Sequence, residues 1–184
     1  MGVCTGDSAF RVSVNLAPRQ VAHPGFTNRV TEILAETGLD PSRLQLEITE
    51  SALVAESELT TRNLLDLHAL GIQLVLDDFG TGYSSLAYLR RFPIDALKID
   101  RRFIAGLDSD EDDRTIVEAI VRMAAGLRID VVAEGVESAR QAAILEGMGC
   151  RIAQGYLWAR PAPARDVALL LGASRCHDDL CQLP

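Results

Sequence analysis

Six short apolar runs alternate with six helical patterns along this chain, and that alternation restricts the fold more than any other feature of the sequence. The strand candidates are Phe10–Asn15, Leu44–Ile48, Ile72–Leu76, Ala96–Asp100, Ile129–Glu134 and Cys150–Gln154. Leu44 to Ile48 alternates with period two, whereas Ile72 to Leu76 is almost continuously apolar. After each run comes a helical pattern. The first passes through Val30, Ile33 and Leu34 to stop at Gly38, and the second runs from Ser57 to Leu70 before Gly71. The others cover about Ser84 to Arg91, the acidic stretch Asp108–Asp113 through Leu127, Ser138 to Gly147, and Ala164 to Leu171. Strict βα alternation, with strands too apolar to face water, predicts an α/β fold in which helices cover a parallel sheet. A doubly wound open sheet and a (β/α) barrel both satisfy this pattern. A complete barrel takes about 250 residues and eight units, so 184 residues with six units fall about two units short of one.

Charge narrows the partners. With 18 basic and 26 acidic side chains the net charge is −8, so a bare phosphate surface, DNA or anionic membrane, repels this chain. A pocket that carries its own cations can still accept a phosphate. No run approaches the ~18 apolar residues of a membrane span, and the start of the chain lacks the basic and apolar regions of a signal peptide. Of the four cysteines, none forms a Cys-x-x-Cys pair. Cys176, His177 and Cys181 make a weak metal set at the tail, and reduced thiols in a cytoplasmic protein are the expectation.

Polar residues then fall at one place on each unit, the C-terminal end of the strand. In order they are Asn15, Glu47 (with Thr49 and Glu50), Asp77 with Asp78, Lys98 with Asp100, Glu134, and Gln154. In either architecture those ends share one face, where ligands bind. A lone acid at a strand end is usually a turn or helix cap; a polar group on every unit predicts one pocket. Asn15, Glu47, Asp77, Asp78 and Glu134 are hard oxygen donors without clustered His or Cys, which suits Mg²⁺ or Mn²⁺ rather than zinc. Crowded carboxylates resist ionisation together. Two divalent ions, bridged by a carboxylate such as Asp77, remove that conflict and are a standard device for phosphodiester hydrolysis. Lys98 and Asp100, two apart, share a strand face. Lys98 is placed to orient the attacking water or stabilise charge on phosphorus, with a plain salt bridge to Asp100 as the alternative.

The run Asp77-Asp78-Phe79-Gly80-Thr81-Gly82-Tyr83-Ser84-Ser85-Leu86 resembles the signature loop of EAL domains, the bacterial cyclic di-GMP phosphodiesterases of signal transduction. Ser13-Val14-Asn15-Leu16 resembles the family's asparagine strand, and Glu47-Ile48-Thr49-Glu50-Ser51 its second ligand motif. Leu97-Lys98-Ile99-Asp100, Val132-Ala133-Glu134-Gly135-Val136-Glu137 and Gln154-Gly155-Tyr156 complete the series in family order. The resemblance covers about Phe10 to Leu171. It implies an incomplete TIM-type (β/α) barrel at residues 10–172, between a leader at 1–9 and a tail at 173–184. The implied activity is two-metal hydrolysis of cyclic di-GMP to the linear dinucleotide. By matching position, Asn15, Glu47 and Asp77 hold the first metal, and Asp77, Asp78 and Glu134 the second. Lys98 assists the nucleophilic water, with Asp100 and Gln154 in support. Glu137 ties down the loop Phe79–Ser85, which in the family leads to a dimer surface, so a homodimer through Asp77–Ser85 is expected. Tyr156 and Pro161 line the substrate side.

The Glu-Ala-Leu strand that names the family is absent, and Ala17 stands where the family commonly has serine. The expectation is therefore that a first-metal ligand and two barrel strands are missing. Two unpaired strand edges and an uncovered apolar interior should follow, leaving the isolated chain weakly stable or oligomeric and its hydrolysis of cyclic di-GMP negligible. A catalytically inactive remnant that binds nucleotide or protein is the alternative. A metal-dependent lyase or isomerase with Lys98 as base is a third reading, against which the six ordered motifs weigh.

Overall fold

Six parallel strands lie side by side in chain order in the computed structural model, which describes residues 10–50, 53, 57–80, 89, 91–164 and 166–167. They are β1 (Val12–Leu16), β2 (Leu44–Thr49), β3 (Gln73–Phe79), β4 (Ala96–Ile99), β5 (Asp130–Glu134) and β6 (Ile152–Gln154). A doubly wound sheet reverses its strand order at a switch point. Here the order runs from β1 to β6 without reversal, the winding of a barrel, and the sheet curls into a half-barrel. Among the described residues β1 and β6 form its two edges.

The helices are α1 (Pro18–Val21), α2 (Phe26–Thr37), α3 (Glu58–Ala69), α4 (Arg101–Ala105), α5 (Glu111–Leu127) and α6 (Ala139–Gly147). Their starts follow local chemistry. The Ser57 hydroxyl accepts from Thr60 N–H at 3.0 Å, and Asp110 caps α5 ahead of Glu111, Asp112 and Asp113, acids that suit the positive end of the helix. Ser138 and Gln141 form a reciprocal capping box on α6. The short α1 and α4 are additions to the pattern read from periodicity, because four or five residues give too little repeat to detect. The sixth strand begins at Ile152 rather than Cys150, since Cys150 N–H closes the end of α6 on Leu145 C=O at 2.9 Å. The helical patterns near 84–91 and 164–171 fall largely outside the described residues, as do Cys176, His177 and Cys181.

Alternation sorts the strand residues onto two faces. Leu44, Leu46, Ile48, Leu74, Leu76, Leu97 and Ile99 are buried against Leu64 and Leu67 of α3, Val117, Ile120 and Val121 of α5, and Leu145 of α6. Each such Leu or Ile contributes about 1.5–3 kcal/mol relative to exposure. The core is thus on the helix side of the sheet. The inner face differs from the apolar interior that the barrel pattern predicts. Ser13 Oγ donates to Gln45 Oε1 at 3.1 Å and Gln45 Nε2 donates to Gln73 Oε1 at 2.8 Å, a polar ladder across three strands. Above it on the same face stand Asn15, Glu47, Asp77, Lys98, Glu134 and Gln154, with Val75, Ala96, Val132 and Ile152 as the apolar members. Among the described strand residues the exposed large hydrophobics lie on the two edge strands, Val12 and Val14 on the helix side of β1 and Ile152 on the inner face of β6.

Candidate metal centre

Asp77 and Asp78 are adjacent in β3, and neighbouring residues of a regular strand point to opposite faces. Two features defeat that rule here. The register between β3 and β4 shifts between Leu76 and Phe79, and Asp78 adopts a left-handed conformation with φ 55°. Both carboxylates therefore reach one site. Ligand oxygens of Asp77, Asp78 and Glu134 all lie within 4.8 Å of one another. Gly80 follows with φ +94°, and the Phe103 ring approaches to 3.0 Å of where a Cβ would stand. That contact fixes the base of the loop against α4.

Lys98 joins the two sides of the inner face. Its Nζ donates to Glu47 Oε2 at 2.8 Å and contacts Glu134 Oε1 at 2.5 Å and Asp77 Oδ1 at 3.5 Å. Burial works to lower the Lys98 pKa, but hydrogen bonds to Glu134 and Glu47 outweigh it and hold the ammonium above its ordinary value. A lysine held charged in this way is a poor general base, which speaks against the lyase reading. Burial raises the Glu134 pKa, with Lys98 opposing and Asp77 and Glu47 adding to the rise. Burial also raises Asp78, reinforced by Asp77 and Asp100. Asp100 moves the other way: bonds from the backbone and side chain of Arg102 overcome its burial.

Asn15 stands opposite Glu47 in the register of β1 and β2, on the exposed edge strand. Gln154 Nε2 donates to Glu134 Oε1 at 2.6 Å, which links β6 to the cluster. Asp100 does not form the salt bridge with Lys98 that their shared face suggested. It caps α4, accepting from Arg102 N–H at 2.8 Å and Arg102 Nε at 3.1 Å, and it shares a hydrogen bond with Asp78. Strand β4 ends at Ile99, so the period-two argument does not extend to Asp100. Glu137 is exposed, and its backbone N–H donates to Gln141 Oε1 at 2.8 Å; the loop it was expected to hold, through Ser85, continues beyond the described residues. Tyr156 is exposed on the turn after β6, under the Arg160 guanidinium, and Pro161 is exposed beyond it.

Two supporting residues escaped the sequence reading. Arg102 holds Asp100 in place. Buried Gln141 accepts from Glu137 and Ser138 N–H and donates to Ile104 C=O at 3.0 Å, clamping the loop after Glu134 to α4. The Ser-x-x-Gln spacing of a capping box was the signal available for Gln141. Arg102 had none.

The carboxylates of Asp77, Asp78 and Glu134 come together on the inner rim, with Lys98 set against Glu47, Asp77 and Glu134. This donor set fits divalent cations of the Mg²⁺ and Mn²⁺ class. No helix among the described residues is long and apolar enough to cross a membrane.

The EAL domain family model matches residues 4–161. Cyclic di-GMP phosphodiesterase NbdA of Pseudomonas aeruginosa is 44% identical over 170 residues, which cover 92% of this chain and 22% of that protein. The chain spans about a fifth to a quarter of the length of the curated relatives it matches. Among solved structures, the PaMucR phosphodiesterase in complex with c-di-GMP superposes with a TM-score of 0.80 at 44% identity, over 85% of this chain and 64% of that one. The manganese and cy-diGMP complex of Klebsiella pneumoniae BlrP1 superposes with a TM-score of 0.77 at 33% identity, over 83% of this chain and 39% of that one. A half-barrel of six parallel strands, a carboxylate cluster on its rim and a family match over most of the length lead to one assignment: this chain belongs to the EAL domain family.

Proposed function

We propose that this chain carries a cyclic di-GMP phosphodiesterase domain, spanning residues 10–172, that opens the cyclic dinucleotide to the linear form. The observation that carries the reading is the convergence of Asp77, Asp78 and Glu134 beside Lys98. Two Mg²⁺ or Mn²⁺ ions are proposed, one held by Asn15, Glu47 and Asp77 and the other by Asp77, Asp78 and Glu134. When bound, such ions activate water and offset charge on the phosphoryl oxygens. The chain's own residues supply the rest. Lys98 stays protonated and adds a fixed positive charge where negative charge grows on phosphorus. Gln154 orients Glu134 by donating to one of its oxygens, and Arg102 orients Asp100, which in turn bonds Asp78. Tyr156 and Pro161 line the nucleotide side.

Three further assignments belong to this proposal. The Asp77–Ser85 loop is proposed to serve a homodimer contact. The domain works in the cytoplasm, where the buried free thiol of Cys150 stays reduced. Neither DNA nor, for this chain itself, the membrane is proposed as a partner. Binding of the nucleotide without turnover is a second reading, and one observation favours it. Lys98 already engages oxygens of Glu47 and Glu134 that the two metals require.

The test is incubation with cyclic di-GMP and Mn²⁺, followed by chromatography of the nucleotides. Linear dinucleotide that disappears in Glu134→Gln supports hydrolysis at this site. Metal-dependent binding with no product selects the second reading, and absence of both overturns the proposal.

A further inference from the structure

We infer that Gln141 is a positioning residue for the cation proposed at Asp77, Asp78 and Glu134, using helix α4 as a strut that holds Asp78 and Glu134 at ligand distance; this rests on the reading of that cluster as a metal site.

The strut is gripped at both ends. At its start Asp100 accepts from Arg102 N–H at 2.8 Å and shares a hydrogen bond with Asp78. Arg101, the first residue of α4, sits against the backbone that follows Glu134, where a Cβ at Gly135 would stand 2.7 Å from the Arg101 Cβ. At the other end Gln141 Nε2 donates to Ile104 C=O at 3.0 Å. Ile104 itself is fully buried, so a turn or slide of α4 opens the core.

Gln141 also holds the chain as it leaves Glu134. Its Oε1 accepts from Glu137 N–H at 2.8 Å and from Ser138 N–H at 3.1 Å. One buried amide therefore ties the exit from β5 to α4, and α4 ties it to Asp78. The capping box at the start of α6 accounts for only half of this side chain. Glutamate serves a capping box equally well, because only an acceptor oxygen is used there. Glutamine adds the N–H that Ile104 C=O receives, which a carboxylate lacks.

Electrostatics explains why such a frame is needed. Ligand oxygens of Asp77, Asp78 and Glu134 lie within 4.8 Å of one another, and ionised carboxylates that close repel. A cation binds such a group tightly where the surrounding structure already keeps the charges gathered. Residues that fix the ligands in place thus change metal affinity without touching the metal. Gln141 acts in this way, through the loop after Glu134 on one side and through α4, Asp100 and Asp78 on the other.

The experiment is calorimetric titration with Mn²⁺ alone of the wild-type chain, Gln141→Met, Gln141→Glu and Ser57→Ala, at a temperature where circular dichroism shows each folded. Gln141→Met removes all three bonds with a side chain of similar shape. Gln141→Glu keeps the two acceptor bonds and loses the donor. Each should weaken Mn²⁺ binding about 10-fold. Ser57→Ala removes a helix cap from α3, in another βα unit, and should leave Mn²⁺ affinity unchanged. In an Asp78→Asn background Gln141→Met should cause no further loss, because the pair it spaces is already broken. Wild-type affinity in either Gln141 variant overturns this inference alone, as does a loss that persists undiminished beside Asp78→Asn or is matched by Ser57→Ala. Failure of the wild-type chain to bind Mn²⁺ overturns both this inference and the reading of the cluster beneath it.

Discussion

Lys98 Nζ and Glu47 Oε2 meet at 2.8 Å across the inner face of the sheet, their side chains only 7% and 10% exposed. The same ammonium contacts Glu134 and Asp77, so one lysine answers three carboxylates. Removing one member of such a buried pairing leaves uncompensated charge and costs about 3–5 kcal/mol. Lys98→Met should therefore lower the urea-unfolding free energy of the metal-free chain by about 3 kcal/mol. Mn²⁺ should restore much of the loss, because a divalent cation replaces the missing charge. Equal destabilisation with and without Mn²⁺ would show that the carboxylates do not accept metal.

Acidification should weaken the metal site early. A carboxylate must be free of its proton to hold a cation, and burial raises the pKa of Glu134 from 4.5 and of Asp78 from 3.8. Protons therefore compete with Mn²⁺ at a higher pH than ordinary carboxylates allow. In the metal-free chain the same two groups favour folding as pH falls through their raised values, because the folded state binds protons more tightly than the unfolded one. Asp100 has the opposite sign. Its pKa is lowered, so its contribution is present above the ordinary value and lost only as pH falls through the depressed one. The Mn²⁺-induced rise in Tm should shrink as the pH is lowered from neutrality and should begin to do so above the ordinary carboxylate range, a trend readable by scanning calorimetry. A Mn²⁺ shift that stays constant until the pH reaches ordinary carboxylate values would contradict these assignments.

The left-handed backbone at Asp78 makes a separable prediction. Asparagine tolerates φ 55° as aspartate does, while a β-branched residue there costs about 1–2 kcal/mol. Asp78→Asn should fold with wild-type stability or better in metal-free buffer and bind Mn²⁺ poorly. Asp78→Val should lose metal binding and, in addition, about 1–2 kcal/mol of stability. Identical unfolding midpoints for the two variants would remove the backbone argument for how both acids reach one site.

Much of this arrangement is legible in the amino-acid sequence because strands announce themselves twice. Leu44, Leu46 and Ile48 mark the buried face, and Glu47 marks both the other face and the strand's functional end. Asp77-Asp78 is less transparent. Periodicity sends the pair to opposite faces, and only the register shift with the left-handed Asp78 brings them together. Lys98 was legible as a site residue, but its partner was not. Asp100 is near in sequence, whereas Glu47 and Glu134 become near only when parallel strands align. The polar ladder Ser13–Gln45–Gln73 was hidden for a related reason, since each residue alone reads as an ordinary polar position in a half-buried strand.

Two glycines should behave in opposite ways on substitution by alanine. At Gly155 a side chain meets the Val136 backbone, so Gly155→Ala should cost about 1–3 kcal/mol and disturb the turn that carries Tyr156. Gly126 lies within α5 with nothing within 4 Å of a Cβ, and Gly126→Ala should stabilise by about 1 kcal/mol through helix propensity. Chemical denaturation of the two variants side by side decides this, and a tolerated Gly155→Ala would mean that the crossing is loose.

The decisive measurement is calorimetric titration of the chain with cyclic di-GMP, in Mn²⁺ and again in excess chelator. Saturable binding should appear in Mn²⁺ and should disappear with chelator and in Asp77→Asn. Binding of equal strength without metal, or unaltered in Asp77→Asn, would contradict metal-dependent binding at this site.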